Sequence, residues 1–343
     1  MTGRYRRLVT GLVTGAVTVA VVGAGCGNQP DTSLHPDPPS VRFAPLRHPF
    51  NNATLYVDTK TAAARWQATH GADWLDPITS QPQARWLNGP QDLAAVPRLV
   101  ARARDRGELP VFVAYYIPNR GCADFKQGAP DTAAYNSYVR DLVDALGPVH
   151  SVIVLEPDAT AADCYNPSRG KLLTHAVQAL SNAGHSVYLD AGHARWRSTG
   201  EMATRLLQSG IAHAEGFAVN VANRQTTNES YRWGLELSDL TGDRDFVIDT
   251  SRNGTGPPPN DPKRDDEWCN PARQALGAPP QTTHRPHLAA LLWIKAPGES
   301  DGECGGEQTY LFSPTQARNL IAATRRLPQA QRAAAATASV AVP

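Results

Sequence analysis

The chain of 343 residues has almost no net charge, +1 with 33 Lys and Arg against 32 Asp and Glu. That balance removes the electrostatic case for nucleic acid or an anionic membrane surface as a partner. Function must come from the local placement of charges. Cysteine is scarce, five in all, and no two lie at the close spacing of a zinc site. There is no glycine-rich phosphate loop and no internal repeat. The apolar run from Leu8 to Val22 is interrupted by Gly and Thr and is short for a membrane span.

That run follows Arg4, Arg6 and Arg7, the flank of an export signal. Cys26 comes after Gly23-Ala24-Gly25, much like a bacterial lipoprotein cleavage site. Lipidation of Cys26 is expected, with an ordinary cleaved signal as the alternative. Any membrane contact would be through that lipid alone, in an exported protein of the cell envelope or a secreted one. Residues 1–26 read as signal and 27–48 as a proline-rich tether that cannot bury a core. Residues 49–328 read as one folded domain and 329–343 as an alanine-rich tail. Cys122, Cys164, Cys269 and Cys304 remain, an even count that predicts two disulfides in an exported chain. Four cysteines allow three pairings. Nearest-neighbour pairing would staple the loops that carry the motifs below.

The pattern of the domain alternates. Short apolar or β-branched runs at 54–57, 111–117, 151–155, 186–189, 217–221, 246–248 and 288–294 predict strands. Helical stretches at 61–70, 91–106, 132–146, 169–183, 201–209, 231–240 and 314–326 separate or follow them. Gly107, Gly147 and Gly184 stand where helix ends favour glycine. Strand–helix alternation of this length predicts an α/β fold with a parallel sheet, most simply a barrel, with a doubly wound open sheet as the other solution. In such barrels the loops after the strands carry the active site.

The ends of these runs are rich in carboxylates and tryptophans. Ser-Val-Ile-Val-Leu-Glu-Pro-Asp delivers Glu156 and Asp158, and Tyr-Leu-Asp-Ala-Gly-His-Ala-Arg-Trp delivers Asp190, His193 and Trp196. Phe-Val-Ile-Asp-Thr-Ser-Arg-Asn-Gly delivers Asp249, and Trp-Ile-Lys-Ala-Pro-Gly-Glu-Ser delivers Lys295 and Glu299. Carboxylates at strand ends suit acid–base chemistry, since partial desolvation there keeps an acid protonated. Flat indoles beside them suit the apolar faces of sugar rings. Taken singly, each has a plainer reading: a turn Asp after Pro157, a salt bridge at Asp249, core tryptophans. Trp86, Trp196 and Trp268 stand in polar, loop-like settings, whereas Trp66, Trp74, Trp233 and Trp293 look like core or helix-face residues.

Together with Leu-Tyr-Val-Asp, Tyr-Tyr-Ile-Pro-Asn-Arg, Asn-Val-Ala-Asn and Trp-Cys-Asn, these segments resemble glycoside hydrolase family 6, the cellulase family B. Eight segments follow the family's order from Asn51 to about Asn319. The resemblance implies a distorted seven-stranded parallel β/α barrel and inverting hydrolysis of β-1,4-glucan, most simply endo-acting, without a cofactor or metal. It implies Asp158 as the proton donor and Asp249 as the opposing carboxylate, supported by Tyr115, Arg120 and Lys295. Trp86, Trp196 and Trp268 would stack glucose units, and Asp190, His193, Asn223 and Glu299 would bind hydroxyls. The expected partner is a β-1,4-glucan or cello-oligosaccharide bound by a monomer, and the expected disulfides are Cys122–Cys164 and Cys269–Cys304. No separate carbohydrate-binding module is visible.

One loop departs from the family's pattern. Where an Arg-Asp-Cys is usual, this chain reads Arg120-Gly121-Cys122, and Lys126 stands in the stretch where a water-holding serine is usual. The missing carboxylate implies slowed turnover, or at the limit a glucan-binding lipoprotein that has lost catalysis. Asp124 is the nearest substitute in sequence.

Overall fold

The strands form where β-branched and apolar residues run without interruption, because a parallel sheet covered on both faces buries every side chain. In the computed structural model, which describes residues 41–122, 127–259, 268–302 and 311–328, Val152–Leu155, Ser186–Asp190, Gly216–Val219 and Asp245–Asp249 are buried at every position. The strands are β1 (Arg85–Leu87), β2 (Val111–Ala114), β3 (Val152–Leu155), β4 (Ser186–Asp190), β5 (Gly216–Val219), β6 (Asp245–Asp249), β7 (Gln281–Arg285) and β8 (Leu288–Leu292). They make one curled sheet in the order β1-β2-β3-β4-β5-β6-β8-β7. Seven strands are parallel, as expected, and β7 is an antiparallel addition on β8. The curl brings Ala84 N–H, just before β1, to the carbonyl of Trp293, just after β8.

Two apolar layers follow from the period-two alternation of strands. Val113, Val154, Tyr188, Ala218, Val247 and Ala290 point into the curl and pack with one another. Phe112, Ile153, Val187, Leu189, Phe217 and Ile248 point outward into the helical layer. That layer includes Val96–Arg106, Thr132–Leu146, Pro167–Asn182, Thr199–Gln208 and Thr227–Leu240. Side chains of Asp131, Asn166, Ser198 and Thr226 cap the last four, each accepting a backbone N–H three residues on. Such a cap contributes about 1 kcal/mol.

Four expectations change. The run at 54–57 makes only an isolated parallel bridge, Leu55 to Leu109. β1 and β7 lacked a sequence signal, the first being three residues long and the second, Gln-Thr-Thr-His-Arg, polar and half-exposed. The helix expected at 91–106 is interrupted near Pro97, which cannot donate to the preceding turn. The tether ends before residue 48: Ala44 N–H donates to Ala212 O, and the Arg244 guanidinium sits 5.1 Å from the Phe43 ring centroid. Cys122 and Cys164 are disulfide-bonded, with Cα atoms 5.6 Å apart. Cys26, Asp124, Lys126, Cys304 and the tail lie outside the described residues, so the Cys269–Cys304 pairing does too.

Candidate active site

A cleft of about 780 Å³ opens at the C-terminal ends of the parallel strands. This is where a barrel's loops converge. Asp158 after β3, His193 and Trp196 after β4, and Asn223 after β5 line it. Trp86 of β1 and Tyr115 after β2 line it as well, and so do Lys295, Glu299 and Asp301 after β8.

The β3–β4 wall is built around a strained turn. Glu156 and Asp158 have φ of 50° and 70°, left-handed values that cost a residue with a Cβ. The Glu156 carboxylate, fully buried, accepts the N–H groups of Tyr116 and Ile117 at 2.9 Å, pinning the loop after β2 to this turn. Burial pushes Glu156 up to about 7. Asp190 Oδ2 accepts the N–H groups of Asp158 at 2.8 Å and Gly192 at 3.0 Å. Gly192 has φ of +69°, and a Cβ there would lie 2.8 Å from Ala161 Cβ and 3.1 Å from the Trp196 ring. Only glycine lets this turn pass under the indole.

Asp158 is pushed up to about 6, first by burial and then by the Asp301 charge. Burial, followed by Asp158, drives Asp190 further in the same direction. Asp190 is a correction: it is 1% exposed, does not line the cleft, and holds the Asp158 backbone instead of being placed to meet a hydroxyl. His193 is lowered to about 4 by burial, so its ring is neutral in the cleft. The Arg120 guanidinium lies 4.1 Å from the Tyr115 ring centroid, donates to Tyr115 O at 2.6 Å and to Gln127 Oε1 at 3.1 Å. Its Nε is buried with no partner among the described residues.

On the opposite wall Glu299 and Asp301 line the cleft, and Asp249 is buried behind it. Asp249 Oδ1 accepts the N–H groups of Ser251 at 2.9 Å and Ile294 at 3.2 Å, and Oδ2 those of Ala222 and Lys295, both at 2.9 Å. A carboxylate has about four lone-pair sites, and all four are taken. Asp249 is therefore a tie between the loops after β5, β6 and β8, and Arg120 is engaged elsewhere; this corrects the expectation that it opposes the acid. Asp301 is the carboxylate that reasoning from the sequence passed over. Its signal was its place in Lys-Ala-Pro-Gly-Glu-Ser-Asp-Gly, one of the segments that carry the family resemblance, where only Lys295 and Glu299 had been given roles. Asp301 Oδ1 meets Arg252 at 2.9 Å, and Oδ2 meets Arg224 at 2.7 Å and the N–H of Asn270 at 3.2 Å. Burial favours its neutral form, but Arg252, Arg224 and Lys295 together outweigh that and hold it well below the usual carboxylate range.

The tryptophans of the cleft differ in freedom. Trp86 donates its indole N–H to Ile294 O at 2.8 Å and meets Tyr115 edge-on, with centroids 5.3 Å apart, so its ring is fixed. Lys295 Nζ lies 5.8 Å from the Trp86 centroid and donates to Ser300 O at 3.2 Å. Trp196 packs beside His193 at 5.6 Å, whereas Trp268 is 59% exposed at the rim. Trp233 and Trp293 are buried.

Comparison with known proteins agrees with this geometry. The model of the Glycosyl hydrolases family 6 matches residues 48–330. The chain belongs to that family. It is 40% identical over 263 residues to endoglucanase A of Cellulomonas fimi, covering 74% of this chain and 57% of that protein. It is 33% identical over 306 residues to endoglucanase 1 of Streptomyces halstedii, covering 81% of this chain and 92% of that one. The chain thus spans little more than half of the Cellulomonas protein and nearly all of the Streptomyces one. Among solved structures, an endoglucanase from Mycobacterium tuberculosis, in complex with methyl-cellobiosyl-4-deoxy-4-thio-β-D-cellobioside, is 38% identical with a TM-score of 0.76. It matches over 81% of this chain and 100% of its own.

Proposed function

We propose that this family 6 hydrolase is an endo-acting, inverting β-1,4-glucanase, exported and held at the cell envelope through Cys26. The observation that carries the reading is the pair of carboxylates on one cleft with opposed acidities. Asp158, raised to about 6, keeps a proton to give; Asp301, held low by two arginines, stays ionised. An inverting glycosidase needs a carboxylic acid on one side of the sugar and a carboxylate with a water on the other. Among the described residues Asp301 accepts three donors, which leaves one lone-pair site for that water. Water attacks the anomeric carbon as its bond to the glycosidic oxygen breaks. Asp158 protonates the departing oxygen and the water's proton leaves toward Asp301. Trp86 and Trp196 flank the acid as ring platforms, with neutral His193, Asn223 and Glu299 at the edges for hydroxyls. The names of the similar proteins, endoglucanases, support the endo assignment.

The Gly121 loop favours a second reading, a cleft that binds glucan and turns it over slowly or not at all. Arg120 Nε is buried with no partner among the described residues, next in sequence to the position from which the usual carboxylate is missing. The test is reducing-sugar release from carboxymethyl cellulose by the wild-type protein and Asp158→Asn, alongside cello-oligosaccharide binding. Release that vanishes in the variant supports the glucanase; binding without release supports the second reading. Because the acid must be protonated, kcat should fall as pH rises through about 6. A rate still climbing at pH 8 would contradict the assignment of Asp158.

A further inference from the structure

The end of the sheet opposite the cleft carries a cluster that the glycosidase chemistry does not use. Glu215 immediately precedes β5, Asp245 begins β6, and His287 immediately precedes β8. The parallel register puts Gly216 beside Asp245 and Phe246 beside Leu288, so these three side chains meet at one end of adjacent strands. His48 arrives from the segment that enters the domain. Its Nδ1 lies 2.9 Å from Asp245 Oδ2, and His287 Nδ1 lies 3.8 Å from Asp245 Oδ1 on the other side. Glu215 Oε1 accepts the N–H groups of His48 at 2.6 Å and Arg47 at 2.8 Å, which fixes the backbone that presents the His48 ring. Ligand atoms of His48, Glu215 and Asp245 all fall within 4.8 Å of one another. A cavity of about 520 Å³, lined by His48, Asp245, His284 and His287, opens beside them to solvent.

We propose that His48, Asp245, His287 and Glu215 bind one zinc(II) ion at the base of the barrel. The donor set decides the class. Imidazole nitrogens with carboxylates suit zinc and its neighbours, whereas calcium and magnesium want a shell of oxygens that two carboxylates do not supply. A tetrahedral ion with bonds of about 2.0 Å needs ligand atoms about 3.3 Å apart; those of His48, Glu215 and Asp245 already lie within 4.8 Å of one another, and His287, 3.8 Å from Asp245, would turn toward them as the fourth ligand. The ion replaces an imidazole–carboxylate hydrogen bond that is half open to water, and the exposed cavity gives it an entry path. It would clamp four segments distant in sequence: the domain entry at Arg47–His48, the start of β5, the start of β6 and the β7–β8 hairpin. The site is structural. It lies at the strand ends that the cleft does not use, so glucan hydrolysis should not require it.

The test is zinc titration of the full chain, stripped with a chelator and followed by calorimetry and native mass spectrometry. One zinc per chain is expected, together with a rise in unfolding temperature. His48→Ala and His287→Ala should each weaken binding at least about tenfold, whereas His70→Ala, on a helix elsewhere, should leave it unchanged. Both histidines are partly exposed, so these variants should fold even if Asp245→Asn does not. No zinc bound at millimolar concentration would overturn the proposal. So would binding that His48→Ala and His287→Ala leave unaltered, which would place the ion elsewhere, at Cys26 for example.

Discussion

The two walls of the cleft use one residue type to opposite ends. On the β3–β4 wall, no cation among the described residues is in hydrogen-bond contact with Asp158 or Asp190, and burial raises the pKa of both. On the β6–β8 wall, Asp301 is as buried but lies between Arg224 and Arg252, and it loses its proton far more readily. Desolvation is the leading influence on both walls; the neighbouring charges decide the sign. Asp249 adds a third case on the second wall. It is buried more deeply than the other two, and four backbone amides consume it, so it ties the loops together. An aspartate at a strand end thus has three possible trades, and its partners choose among them.

Breaking the first wall should have the largest effect. Asp158→Asn should lower kcat on soluble cellulose by about 10³-fold or more while cello-oligosaccharide affinity changes little, because it removes a proton and no platform. Breaking the second wall should cost less. Asp301→Asn should lower kcat by about 10²-fold. It should also move the alkaline limb of the remaining activity to lower pH, since the Asp301 charge helps hold the proton on Asp158. An unmoved limb would mean that the walls do not sense one another.

Asp249→Asn separates the two carboxylates of the second wall. An amide nitrogen cannot accept the two N–H groups that one carboxylate oxygen now takes. Unfolding free energy should fall by about 1–3 kcal/mol, with a smaller loss of kcat per folded molecule than Asp301→Asn shows. A rate loss larger than that of Asp301→Asn would restore Asp249 as the opposing carboxylate. The smallest effect belongs to Gly121→Asp. If the loop after β2 limits turnover, kcat should rise a few-fold; an unchanged rate would count against that loop as the brake.

Much of this was legible in the sequence. Buried parallel strands read as uninterrupted runs of Val, Ile and Leu, so β2 to β6 and β8 were visible, and Asp158 stood at the end of the clearest of them. β1 and β7 were not. One is too short for periodicity, and the other is a polar strand whose pairing with β8 is decided by the hairpin. Trp86, Trp196 and Trp268, picked out by their polar surroundings, all line the cleft. What failed was the trade of each carboxylate. Asp249 and Asp301 look alike in one dimension, and only the fold brings four amides to the first and two arginines from other loops to the second. Arg224 and Arg252 lie 77 and 49 positions from Asp301, so no local pattern could have announced them. The cluster of His48, Glu215, Asp245 and His287 was equally invisible, being assembled by the register of three strand starts and by the segment that enters the domain.

The most direct test of the division between the walls compares leaving groups. Hydrolysis of cellotetraose, whose sugar alcohol leaves only if protonated, should be set against hydrolysis of a dinitrophenyl cellobioside, whose phenolate needs no proton. The account predicts that Asp158→Asn loses about 10³-fold on the first and close to nothing on the second, while Asp301→Asn loses comparably on both. Equal losses on the two substrates for Asp158→Asn would show that Asp158 is not the proton donor, and the account of the cleft would fail with it.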